Sequence, residues 1–150
     1  MNKEEVNVRF AELGDLDFLK QKSGLSRERL LQKIQRDEIL IVSVGDEPVG
    51  QLWFAFLWST IPLIERIHLE EGYRKRGLSR VLLGYLEIYL QAGGYHVLYS
   101  SSQVDEPEPQ AWHRYLGFAE CGVIAGLNDG GIGEVFFRKA IMGDRTINIL

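Results

Sequence analysis

The densest concentration of reactive chemistry lies in residues 64–80. Ile64-Glu65-Arg66-Ile67-His68-Leu69 reads as a strand, Glu70-Glu71-Gly72-Tyr73-Arg74-Lys75-Arg76-Gly77 as a loop, and a helical pattern opens at Leu78-Ser79-Arg80. Four of the 17 basic residues, Arg74, Lys75, Arg76 and Arg80, fall within seven positions. Backbone N–H groups at a helix start have no partner within the helix and sit at the positive end of its dipole. They bind anionic oxygens, phosphates above all. Gly77 lets a ligand approach the backbone with no Cβ in the way, and the three basic side chains before it add positive charge. The plainer alternative is a solvated, charged helix entry.

Two other phosphate signatures are missing. No G-x-x-x-x-G-K-[ST] run exists, and no G-x-G-x-x-G joins a strand to a helix. Gly130-Gly131-Ile132-Gly133 precedes a strand pattern and reads as a hairpin turn. The other candidates for chemistry are scattered. His68 alternates with Glu65 and Ile67 and so projects from the opposite strand face, as a surface or partly buried histidine. The single cysteine, Cys121, excludes an internal disulfide and has no His or Asp spaced as a partner. As a small apolar residue in a strand it is expected in the core. No set of His, Cys and carboxylates has metal-ligand spacing.

The elements that must position these residues alternate in type. Val6, Val8 and Phe10 mark a first strand. Leu16 and Leu19, then Leu30, Leu31 and Ile34, mark two short helices, the second capped by Ser26. Residues 39–44, 49–58 and 63–69 form a three-strand meander, with Gly45-Asp46-Glu47-Pro48 as the first turn. In its middle strand, alternation puts Phe54, Phe56 and Trp58 on one face and Trp53 on the other. Leu78, Val81, Leu82, Tyr85, Leu86 and Tyr89 recur at helical spacing until Gly93-Gly94. A strand at 95–100, a helix at 109–116 and strands at 118–124 and 134–140 complete the chain. The hairpins predict antiparallel pairing, and the strand-helix-strand unit predicts one parallel pair.

With 150 residues the chain has room for one domain and not comfortably two. It is 45% hydrophobic and 25% charged, an ordinary globular balance. Seventeen basic against 21 acidic residues give a net charge of −4, a poor basis for general nucleic-acid binding. The apolar run at 52–58 is too short to span a bilayer. The start, MNKEEVNVRF, has no apolar core like that of a signal peptide. The expectation is a soluble, cytoplasmic protein with no nucleic-acid or membrane partner; the oligomeric state stays open, a homo-oligomer included.

The chain resembles the GNAT superfamily of acyl-CoA-dependent N-acyltransferases. The family signature [Arg/Gln]-x-x-Gly-x-[Gly/Ala] is matched by Arg74-Lys75-Arg76-Gly77-Leu78-Ser79, with Ser79 replacing the usual Gly or Ala. A second signature, an aromatic-rich helix ending in Leu-Gly-Phe, is matched by Ala111-Trp112-His113-Arg114-Tyr115-Leu116-Gly117-Phe118. The resemblance covers about residues 5–140, with 141–150 as a tail. It implies one α/β (α+β) domain: a mixed, mostly antiparallel sheet flanked by helices, with a central parallel strand pair splayed around CoA. It implies acetyl-CoA or another acyl-CoA as donor, its pyrophosphate on Arg74, Lys75, Arg76, Gly77, Leu78 and Ser79. The pantetheine arm would run along Ile67, His68 and Leu69. An amine would attack the thioester directly, with no covalent enzyme intermediate and no metal.

The same resemblance offers Glu65 as base, directly or through water; the alternative is that Glu65 pairs with a basic side chain on a neighbouring strand. The family's frequent Tyr acid sits four residues before the Gly of Gly-Phe, and His113 stands there. Trp112, Tyr115 and Leu116 would form an apolar stripe, leaving Tyr115 a packing role and His113 outside it. The family's Asn, seven residues earlier, is here Glu106. Asp105, Glu106 and Glu108 follow the fifth strand, where the acceptor cleft would open, and a negative rim there would attract a cationic amine. The rivals are a non-catalytic CoA-binding or regulatory module, and a phosphate-binding α/β domain unrelated to CoA.

Overall fold

The computed structural model describes residues 5–21 and 23–141. Strand β1 (Val6–Phe10) leads through a short 3-10 turn (Leu13–Asp15) into helices α1 (Leu16–Lys20) and α2 (Arg27–Gln35). Strands β2 (Ile39–Val44), β3 (Glu47–Leu57) and β4 (Ile61–Leu69) follow, then helix α3 (Leu78–Ala92). The chain ends with β5 (Val97–Gln103), α4 (Pro107–Tyr115), β6 (Ala119–Ile124) and β7 (Glu134–Ala140). The strands form one seven-stranded sheet in the order β1-β2-β3-β4-β5-β7-β6, with β4 and β5 parallel. β1–β2, β2–β3, β5–β7 and β6–β7 pair antiparallel. This is the mixed, mostly antiparallel sheet that the hairpins and the strand-helix-strand unit predict.

The chain divides into two compact units, residues 1–54 with 66–86 and residues 55–65 with 87–150. In the first, α1 and α2 cover a sheet face. Leu19, Leu30 and Ile34 meet Ile39, Ile41 and Trp53 in one buried cluster. Every residue of β2 is buried, so its pattern is a continuous apolar run rather than an alternation. Ser26 caps α2, its hydroxyl accepting from the Arg29 N–H at 3.2 Å, as its place before the helix predicts. Lys33 at the other end of α2 donates to Glu38 Oε1 (3.0 Å) and to the Phe54 carbonyl (2.9 Å), tying helix to sheet.

In the second unit, β5 pairs with β7 from Val97↔Ala140 to Gln103↔Glu134. Leu98, Ser100 and Ser102 alternate as the buried residues of β5. The Lys139–Glu87 ion pair (2.6 Å) joins β7 to the last turns of α3. Among the described residues, no helix is long and apolar enough to cross a membrane. Ile141 bonds the His96 carbonyl (2.9 Å), and the rest of the expected tail, 142–150, lies outside the described residues.

Four expectations are corrected. Cys121 is exposed, because β6 is the sheet's outer strand and all six of its residues face solvent. Trp58 is 82% exposed: it has left β3, and its φ of 50° turns the chain out of the strand alternation. The buried side of α3 carries Leu82, Leu83, Leu86 and Leu90, whereas Val81, Tyr85 and Tyr89 are exposed. In α4, His113 is buried and Tyr115 is 74% exposed, the reverse of the predicted stripe.

Candidate active site

The basic loop is built by the way β4 ends. The Glu70 N–H bonds the Val49 carbonyl (2.8 Å) and the Tyr73 N–H bonds the Glu70 carbonyl (3.0 Å), so the chain turns at once. Beneath this exit β3 passes at Gly50. A Cβ there would run into the Leu69 side chain and come within 3.2 Å of the His68 carbonyl oxygen. Gly72, Lys75 and Gly77 all hold left-handed backbone, at φ of 94°, 62° and 80°. Such residues wind the chain tightly enough to aim its amides at a common point.

Side chains then lock the loop. Arg74 Nε donates to the Leu69 carbonyl (3.1 Å), Arg76 Nη1 donates to the Gly72 carbonyl (3.3 Å), and the Arg76 guanidinium lies 5.0 Å from the Tyr73 ring centre. Arg74, Lys75, Arg76 and Gly77 are exposed, while buried Leu78 anchors the first turn of α3. The Val81 N–H to Gly77 carbonyl bond (3.2 Å) opens the helix, which puts the amides of Leu78, Ser79 and Arg80 at the positive end of its dipole. A Cβ built on Gly77 meets nothing within 4 Å. The backbone there is open to an incoming anion.

On β4, Ile67, His68 and Leu69 are half-buried and Glu65 is exposed. His68 Nε2 stands 3.5 Å from Glu70 Oε2. Arg66 lies 5.2 Å from the Trp53 ring centre, and burial lowers its pKa.

In the second unit, β4 and β5 are in register at Leu63↔Tyr99 alone among the described residues. Past that step β5 continues as Ser100-Ser101-Ser102-Gln103, paired on its other side with β7. His113 lies under this run. The ring is 3% exposed and stacks on Phe137 at 4.5 Å, with Trp112 and Phe118 edge-on. Its Nδ1 is 2.7 Å from the Pro109 carbonyl and its Nε2 is 2.7 Å from Ser100 Oγ. A carbonyl only accepts, so Nδ1 carries the proton. In the neutral ring, Nε2 then accepts from the Ser100 hydroxyl. Burial pushes the His113 pKa below its ordinary value, against a smaller upward pull from the Pro109 bond, and favours that neutral form.

The serine run is what the sequence reading passed over; three consecutive hydroxyls inside a core strand were the available signal. Ser101 donates to Glu134 Oε2 (2.7 Å), and Asn128 Nδ2 donates to Glu134 Oε1 (2.9 Å). Ser102 is buried and its Oγ has no hydrogen-bond partner. Gln110 ties α4 to the end of β5 through the Gln103 and Val104 carbonyls (3.2 and 2.9 Å). Asp105, Glu106 and Glu108 are exposed on that connection.

Comparison with known proteins meets the same elements. No curated protein matches the sequence. Many solved structures share the fold. An acetyltransferase of the GNAT family from Bacillus cereus is similar over 91% of this chain and 97% of its own, at 20% identity and a TM-score of 0.73. The ribosomal-protein-S18-alanine N-acetyltransferase of Escherichia coli is similar over 97% and 99%, at 16% and 0.77. A putative acetyltransferase from Salmonella typhimurium, solved with acetyl-CoA, is similar over 91% and 94%, at 15% and 0.72. The acetyltransferase (GNAT) family model matches residues 9–118, from the first strand through the Leu-Gly-Phe that follows α4. The stretch it matches takes in the basic loop and the His113 helix alike, and the chain belongs to the GNAT family of acetyltransferases.

Proposed function

We propose that this protein is a single-domain N-acyltransferase that moves an acyl group, acetyl first, from acyl-CoA to a primary amine held with it in a ternary complex. The observation that carries the reading is the loop at 74–79: three exposed basic residues, an open left-handed Gly77, and a helix N-terminus directly behind it. That combination suits the pyrophosphate of CoA. Ile67, His68 and Leu69 would take the pantetheine arm. Each division between the two units falls inside a regular element, β3, β4 or α3, which supports one domain.

In the reaction the amine nitrogen attacks the thioester carbonyl carbon, the new C–N bond forms and the C–S bond breaks. Glu65 takes the proton lost by the amine, directly or through a water. The thiolate needs a proton in return. Both nitrogens of the His113 ring are bonded inside the protein, to the Ser100 hydroxyl and the Pro109 carbonyl, so we assign His113 as a positioning residue. In its neutral form it holds the Ser100 hydroxyl. When charged, it supplies a proton from Nε2 to Ser100 as Ser100 gives its own to sulfur. The exposed carboxylates of Asp105, Glu106 and Glu108 favour a cationic acceptor: a small polyamine, an amino sugar or a basic peptide end.

A second reading, a CoA-binding module without catalysis, is favoured by one observation: both nitrogens of His113 are already engaged inside the protein. Thiol release from acetyl-CoA across an amine panel separates the two. Acceptor-dependent release with a matching acetylated product supports the enzyme. CoA binding with no turnover on any amine supports the module. Absence of CoA binding rejects both.

A further inference from the structure

The turn between β3 and β4 holds an unfavourable residue for its backbone. The Thr60 N–H bonds the Leu57 carbonyl (3.0 Å), so Trp58 and Ser59 are the two central residues of a hairpin turn, with φ of 50° and 65°. A hairpin turn with both central φ positive favours Asn-Gly, because a bulky side chain is strained in left-handed backbone. Trp58 also stands 82% exposed. The isolated chain therefore gains little from a tryptophan here: its backbone is strained and its ring is in water. Strained residues that persist cluster at sites of function or binding.

Beside the ring lies a cavity of about 360 Å³ whose walls include Leu57, Trp58 itself, Ile61, Tyr99, Phe136 and Ile124. None of the side chains lining it is charged. It spans one face of the four adjacent strands β4, β5, β7 and β6. On the other face α4 packs His113 against Phe137, and the end of α3 pairs Glu87 with Lys139. Alternation along β7 turns Phe136 away from Phe137 and Lys139, so neither helix covers the cavity.

One surface thus carries both a projecting ring and a recess large enough to take it. Two copies related by a two-fold axis satisfy both at once, because such an interface uses the same patch twice. A small apolar ligand would fill the recess and leave the outer side of the ring in water. The charges agree with a second copy. Glu134 and Arg138 flank Phe136 on the same face of β7. Two copies stacked with their β7 strands antiparallel set the Arg138 of each against the Glu134 of the other. The size agrees as well. Four strands ~4.8 Å apart and five residues at ~3.4 Å each make a face of about 300 Å², and the Trp58 ring adds roughly 150–200 Å². Two copies would bury about 1,000 Å², the lower end of a specific interface.

We infer that this face joins two copies of the chain in a two-fold dimer, with the Trp58 of each seated in the recess of the other. The inference is independent of the acyl-transfer reading.

Sedimentation of the native protein across a dilution series reads the association. An interface of this size should hold a dimer at ~200 μM protein and release it on dilution. Trp58→Asn keeps the turn and removes the anchor. Loss of a central tryptophan weakens Kd by at least ~30-fold, so W58N should sediment mainly as a monomer at the same concentration. At high dilution, where both proteins are monomers, W58N should melt at or above the native temperature, because Asn tolerates left-handed backbone. R138E sets like charges together and should also weaken the dimer, more at low salt than at high. The exposed Cys121 thiol lies at the same cavity and gives a local reading. Its reaction with an aromatic disulfide reagent should slow as native protein is concentrated and keep a constant rate in W58N. A native monomer at ~200 μM overturns the inference. So does a dimer that W58N or R138E leaves unchanged, which would use another surface or another stacking. A W58N monomer that melts below native overturns it too, because the ring would then be packing into the recess of its own chain.

Discussion

Replacing His113 with alanine should destabilise this protein far more than the loss of a surface catalytic group would. The ring is 3% exposed and stacked on Phe137 at 4.5 Å. Its removal opens a cavity of the kind that costs ~2–5 kcal/mol. It also leaves two buried groups, the Ser100 hydroxyl and the Pro109 carbonyl, without the 2.7 Å bonds they make now. The terms overlap, and ~3–5 kcal/mol is the expected total. For a chain of this size ~1 kcal/mol moves Tm by about 2–4 °C. The expected drop is therefore roughly 6–20 °C in a thermal melt at pH 7.5. His113→Asn keeps a donor for Pro109 and His113→Gln keeps an acceptor for Ser100, so each should melt about 2–4 °C above the alanine variant.

The pH dependence has a definite sign. Burial lowers the folded-state pKa of His113 below the ordinary imidazole value of about 6.5. As pH falls, the unfolded chain takes up that proton first. The stability associated with the neutral ring is complete above pH ~6.5, declines below it, and levels off below the folded-state pKa. Between pH 7 and pH 5 the native Tm should fall more steeply than that of His113→Gln. An alanine variant within about 2 °C of native, or parallel pH curves for native and His113→Gln, would refute the reasoning.

Gly77→Asp should abolish the Tm increase produced by saturating CoA, about 2.7 kcal/mol of stabilisation at a hundredfold excess over Kd in the native protein. Its own cost should stay within ~1–2 kcal/mol, set by a φ of 80° rather than by crowding, since the Cβ meets open space; an unchanged CoA shift would exclude the loop as the pyrophosphate site. Glu65→Gln should lower kcat by roughly 10²–10⁴ and leave the CoA Kd intact. A full-rate glutamine variant would remove Glu65 from the reaction. Neutralising Asp105, Glu106 and Glu108 together should raise KM for cationic amines at low salt, with the effect fading near 0.5 M salt, where screening shortens to a few ångströms (~4 Å). A KM that ignores both charge and salt would exclude electrostatic attraction of the acceptor.

The sequence by itself determined what depends on near neighbours in the chain. The Ser26 cap, the end of α3 at Gly93-Gly94, the turn at 128–133 and the strand-loop-helix junction at Gly77 follow from local backbone preferences and short-range hydrogen bonds. The order of strands and helices followed from the same rules, and so did the one parallel pair, because a strand-helix-strand connection admits little else. The tertiary structure decided which face of each element turns inward. β6 reads as an apolar strand, yet Cys121 is exposed because, among the described residues, β6 is the outer strand of the sheet. In α4, hydrophobicity favours burying Tyr115 over His113. The fold reverses that choice because Ser100 on β5 and the carbonyl of Pro109 satisfy both imidazole nitrogens, and Phe137 on β7 supplies a flat apolar surface for the ring. Those partners lie as far as 24 positions away in sequence, 113 against 137, and only strand pairing brings them to one place.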